Sequence, residues 1–186
     1  MKQINEIDLN SYRDRVYQNA VNHGWHEEEK SIEHWLCMVM SELMEAVEAD
    51  RLGKYADRNQ FENYMNLIER SNDEFVYAFK YGIKDSVEDE LADACIRLFD
   101  MAGVYNADFN LLTPTEYDTS RYSKLTFTES VYKMIENFYL FQFNIIGHLD
   151  EIFTFCSSRN IDIFWFIDQK MKYNESRPFK HGGKKY

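Results

Sequence analysis

Four acidic residues fall into two matched pairs, Glu42 with Glu45 and Glu90 with Asp93, each spaced three apart. Residues three apart share one face of an α-helix, so each helix can present two carboxylates side by side. If the two helices pack together, four oxygen-bearing side chains converge. That is the ligand set a hard divalent cation such as Mg2+ prefers. An all-oxygen set points to Mg2+ or Mn2+ rather than to iron or zinc. Solvated helix faces also carry such pairs, so the flanking residues must decide whether these acids meet.

The flanks give both pairs the same setting. On a helical wheel Leu36, Val39, Met40, Leu43 and Val47 form an apolar stripe, and Glu42 and Glu45 lie at its margin beside Trp35, Met38 and Ala49. Leu91, Cys95, Leu98 and Phe99 form a second stripe, with Glu90, Asp93, Arg97 and Asp100 beside it. Two helices of one design can pack antiparallel with their acids facing, as bundle metal sites do. Glu48, Asp50, Glu88 and Asp89 read as solvated acids. Arg97 and Asp100 read either as structural partners of Asp93 or as substrate contacts.

The rest of the chain supplies more helix. Two prolines and seven glycines in 186 residues favour long helices over a turn-rich β protein, within a single domain spanning 1–186. The apolar spacing predicts helices over residues 8–23, 30–52, 59–70, 86–106, 128–157 and 160–173. Gly24 ends the first of these, and Thr113-Pro114 marks a loop. Thr128 before Glu129 reads as the N-cap of the long helix over 128–157. The fold class is therefore all-α.

Composition narrows the function. The 32 acids against 21 bases give a formal charge of −11, which argues against a nucleic-acid polymer as partner. A small anionic substrate stays open, because a bound cation reverses the local field. Cys37, Cys95 and Cys156 are widely spaced, which suggests reduced thiols and a cytoplasmic location. Cys37 and Cys95 fall in apolar helical patterns and read as buried small hydrophobes. The polar N-terminus, and the lack of any run near 18 apolar residues, predict neither a secretory precursor nor a membrane span. None of the five histidines follows a Glu by three residues, as a ferritin-like di-iron site would need. No Gly-rich phosphate loop is present either. Trp25 and Trp35 are candidates for stacking on a base, Trp35 with the stronger core character.

At the acid pairs the chain resembles the all-α nucleoside triphosphate pyrophosphatases, and MazG-like proteins in particular. The carrying residues are Ser41-Glu42-Leu43-Met44-Glu45 and Glu88-Asp89-Glu90-Leu91-Ala92-Asp93, with His23-Gly24-Trp25 upstream and residues 170–182 at the C-terminal end. The likeness covers about residues 20–106 and 160–186. It implies a MazG-like helical bundle, with inserted helices near 54–86 and 107–159. Ser41 stands where members often carry Glu.

The resemblance further implies Mg2+-dependent hydrolysis of a nucleoside triphosphate to the monophosphate and pyrophosphate, in a house-cleaning role. Glu42, Glu45, Glu90 and Asp93 would be the metal ligands, with Glu42 or Glu45 also able to orient the attacking water. Lys170, Asn174 and Arg177 match family positions that approach the substrate. Members usually assemble as homodimers or higher homo-oligomers, and the many aromatics between Phe138 and Phe166 fit either a helical interface or a self-contained bundle within one chain. Two other readings stand beside this one, a catalytically weak nucleotide-binding regulator and a helical interaction protein.

Overall fold

A computed structural model describes residues 7–67, 72–111 and 117–183. Among them all regular structure is helical. In chain order the helices are α1 (Leu9–Asn22), α2 (Ile32–Arg51), α3 (Arg58–Leu67), α4 (Asn72–Gly82), α5 (Val87–Val104), α6 (Phe127–Leu140), α7 (Ile145–Ser158) and α8 (Ile163–Glu175). A left-handed turn over Lys180–Gly183 follows. No helix among the described residues is long and apolar enough to cross a membrane. Thr113-Pro114 lies outside the described residues.

α5 is the axis of the bundle. It packs most extensively against α2, and also against α1, α7 and α8. Val87, Leu91, Ala92, Ala94, Cys95, Leu98, Phe99, Met101 and Ala102 are all fully buried. A helix covered on several sides must be apolar round most of its circumference. Small residues let the neighbours come close: a Cβ on Gly103 would sit 2.5 Å from the Tyr17 side chain of α1. The two acid-bearing helices begin alike, because Ser31 caps α2 by accepting from the His34 amide and Ser86 caps α5 by accepting from the Asp89 amide.

Several expectations change in detail. The stretch predicted as one helix over 128–157 is two helices, α6 and α7, which pack on each other. Asn144 causes the break. Its Oδ1 accepts from the Gly147 amide at 3.2 Å and starts α7 afresh. The reversal lets α7 bury Leu149, Ile152 and Phe153 against the core while α6 buries Val131, Met134 and Phe138. The cap of α6 is Thr126 rather than Thr128: Thr126 and Glu129 form a reciprocal capping box. Cys37 is exposed, not buried, while Cys95 and Cys156 are buried. Residues 54–86 hold a helical pair, α3 and α4, with Phe61 and Phe75 in edge contact.

The capping assignment is open to test. Thr126→Ala is expected to lower the unfolding free energy by about 1 kcal/mol, whereas Thr128→Ala moves it by less than about 0.5 kcal/mol. Denaturant unfolding of the two variants compares them directly.

Candidate functional site

α2 and α5 bring the acid pairs to one cleft of about 300 Å³. Glu42, Glu45, Glu90 and Asp93 all line it, and so do Lys170, Asn174 and Arg177 from the C-terminal end and Trp25 from the turn after α1. Carboxylate oxygens of Glu42, Glu45 and Glu90 lie within 4.8 Å of one another. Asp93 is not part of this cluster; its carboxylate is 2.6 Å from the Lys170 ammonium.

Burial gives the acids their character. Glu42 and Glu90 are only 7% and 5% exposed, while Glu45 is exposed. Burial, with the nearby Asp93 and Glu45 charges, pushes the Glu42 carboxyl up to about 7, even though Arg97 donates to it at 3.0 Å. Burial, then Asp93 and Asp89, pushes Glu90 up to about 8. Like charges held close in low dielectric disfavour ionisation, so the cluster calls for an added positive charge. The donor set is all carboxylate oxygen, which fits a hard divalent cation.

Lys170 is positioned differently from a lysine that reaches toward a ligand. It is 5% exposed, and its ammonium lies 2.9 Å from Asp89 and 2.6 Å from Asp93. Burial alone would lower its pKa, but the two carboxylates outweigh this and raise it. Asp89, expected as a solvated acid, is fully buried and is one of these two partners. The available signal was its i, i+4 spacing to Asp93, which sets both acids on one helix face where a single cation can serve them. Glu88 is likewise not simply solvated, since it accepts from the Ala56 amide at 2.8 Å.

The remaining polar groups complete the walls. Arg97 pairs with Glu42 rather than with Asp93, and Asp100 holds His26 at 2.7 Å. His26 in turn stacks on Trp35, which is 5% exposed and part of the core, as its flanks predict. Asn174 is 6% exposed, and its Oδ1 has no hydrogen-bond partner among the described residues. Arg177 and Trp25 are half-buried at the rim. A second set of close acids, Asp85, Asp89 and Glu90, adjoins the cleft. There Lys170 serves Asp89, and Lys54 and Lys84 serve Asp85.

The raised acids fix the sign of a pH effect. A carboxyl whose folded pKa exceeds its unfolded value stabilises the fold at low pH and loses that contribution as pH rises. Without divalent cations the Tm is therefore expected to fall as pH rises from about 4.5, the ordinary Glu value, to about 8. Glu90→Gln should flatten that slope. A Tm that stays level across this window in the unaltered chain would contradict the burial of these charges.

No protein-family model matches this chain, and comparison with curated proteins and with solved structures finds no match.

Proposed function

We propose that the protein is a MazG-like, Mg2+-dependent nucleoside triphosphate pyrophosphohydrolase with a house-cleaning role in the cytoplasm. One observation carries this reading: Glu42, Glu45 and Glu90 converge in a cleft that Asn174 and Arg177 also line. A divalent cation held by Glu42, Glu45 and Glu90 would offset triphosphate charge and help align the leaving group.

The chain's own residues do the rest. Glu42, at the edge of the cation site, can take the proton of the attacking water. Glu45, on the open side of the cleft, is the alternative for orienting that water. The water oxygen bonds to the α-phosphorus. The bond from that phosphorus to the α–β bridging oxygen breaks, and its electron pair leaves with pyrophosphate. Arg177 can grip a phosphate with two parallel N–H donors. The unpartnered Oδ1 of Asn174 can accept from a substrate hydroxyl or amine. Lys170 acts indirectly by holding the Asp89 and Asp93 carboxylates in place.

The test is pyrophosphate release from a panel of standard and modified NTPs and dNTPs with Mg2+. Turnover is expected for at least one nucleotide, with a loss of at least about a hundredfold in Glu45→Gln or Glu90→Gln. No pyrophosphate from any nucleotide would sink the hydrolase reading. A second reading has its own support, since Arg97 already pairs with Glu42 and Lys170 with Asp93. Two of the four expected ligands are thus occupied, which suits a nucleotide-binding regulator with weak catalysis. Thermal stabilisation by Mg2+ and nucleotide without turnover would favour it.

The interface expected for a homo-oligomer has a candidate surface. A groove of about 710 Å³ between α2 and α6 is lined by Leu36, Met40, Ile135, Tyr139 and Leu140. Tyr132, Tyr139, Leu140, Phe141 and Phe143 are exposed on or just beyond α6. Contiguous apolar surface of this kind marks interaction sites, and here we assign it to a second copy of the chain. Light scattering after size exclusion is expected to give at least a dimer, and Tyr139→Glu should shift it toward monomer. A monomer at high concentration would refute this assignment.

A further inference from the structure

The turn after α1 and the segment after α8 meet at one wall of the cleft. The backbone after α1 turns at Gly24, whose φ of +79° is in the left-handed region. The Phe179 ring lies over that turn, where a Cβ on Gly24 would come within 2.2 Å of it. Around this contact the Lys180 amide donates to the His23 carbonyl at 3.0 Å, and the Lys180 ammonium lies 2.5 Å from Glu27. The His23 ring nitrogens lie 2.8 Å from the Asn19 carbonyl and 3.0 Å from the Arg177 carbonyl. His181 sets its ring edgewise to both Trp25 and His23.

These contacts form a strap running from Arg177 to His181. Its inner side lines the cleft through Arg177 and His181, and the turn it grips lines the cleft through Trp25. Phe179 itself does not line the cleft and is 58% exposed. An exposed aromatic seated on a left-handed glycine has little to offer the core. Arg177 and His181, two residues to either side, do line the cleft. We propose that Phe179, seated on Gly24, is a positioning residue: it holds Arg177, His181 and Trp25 as one wall of the cleft and so sets the affinity for an anionic, phosphate-bearing ligand.

The inference rests on the nucleotide reading of the cleft. Under it, Phe179 acts on binding and leaves the reacting atoms alone. Loss of an interaction made equally in the ground and transition states raises KM and spares kcat. Gly24→Ala combines a clash with backbone strain, so Phe179→Ala is the cleaner variant and Phe179→Tyr the conservative control.

In the full chain with Mg2+ and the best nucleotide of the panel, Phe179→Ala is expected to raise KM about fivefold with kcat within about twofold, and Phe179→Tyr to restore KM. Where the unaltered chain binds without turnover, Kd replaces KM. Tm should move by no more than about 2 °C. Hydrogen exchange at the Lys180 amide should quicken in Phe179→Ala, since that amide reports closure of the strap without any nucleotide. An unchanged KM or Kd in Phe179→Ala overturns the proposal, as does a fall in kcat alone. Unchanged exchange at Lys180 overturns the strap itself. A chain that neither turns over nor binds any nucleotide overturns the underlying reading, and exchange at Lys180 tells that failure apart from failure of the strap.

Discussion

Lys170 between Asp89 and Asp93 is the interaction on which the acidic cleft depends. α5 carries Asp89, Glu90 and Asp93 within its first two turns, and two of these are buried. An uncompensated buried charge is costly, and removing one partner of such a pair destabilises by about 3–5 kcal/mol. A single ammonium from α8 answers two of the three carboxylates, while Asp89 also accepts from the Asp85 amide at 2.9 Å. The pairing ties α8 to α5 at the end where the strap begins. Lys170 therefore fixes the direction in which Asn174 and Arg177 emerge, one and two turns further along the chain.

Compensation stops short of the remaining acids. Arg97 answers Glu42 only in part, and Glu90 and Glu45 have no cation of the chain close enough to form an ion pair among the described residues. Burial first, and then neighbouring carboxylates, raise the pKa of Glu42 and Glu90. Two regimes thus meet where α2 faces α5. On one side the acids are neutralised internally and do structural work. On the other they are crowded, and burial raises the pKa of Glu42 and Glu90. Proteins tolerate this second arrangement where binding returns what folding gives up.

Much of this was legible in the chain, because it rests on local periodicity. The i, i+3 acids and their flanking stripes placed Glu42, Glu45, Glu90 and Asp93 at matching margins of α2 and α5, and the all-helical class followed from the same pattern. What failed was whatever depended on partners distant in sequence. Asp89 read as solvated because its i, i+4 spacing to Asp93 allows a shared cation but does not name the lysine eighty-one positions away. Cys37 read as buried because a stripe says which face is apolar, not how far the neighbouring helix extends over it. The break at Asn144 was hidden because residues 128–157 are apolar on both sides of it, so periodicity continues through a reversal that one cap makes.

The reversal has a consequence for the site. A single helix over 128–157 would run past the bundle and leave α5 open on one side. Folded back as α6 and α7, the segment lays α7 along α5 and α6 along α2, so each acid-bearing helix is covered on the side away from the cleft. That cover makes α5 apolar at Cys95, Leu98, Met101 and Ala102 while it keeps polar residues on a narrow strip. Among the described residues, 107–159 supplies no side chain to the cleft.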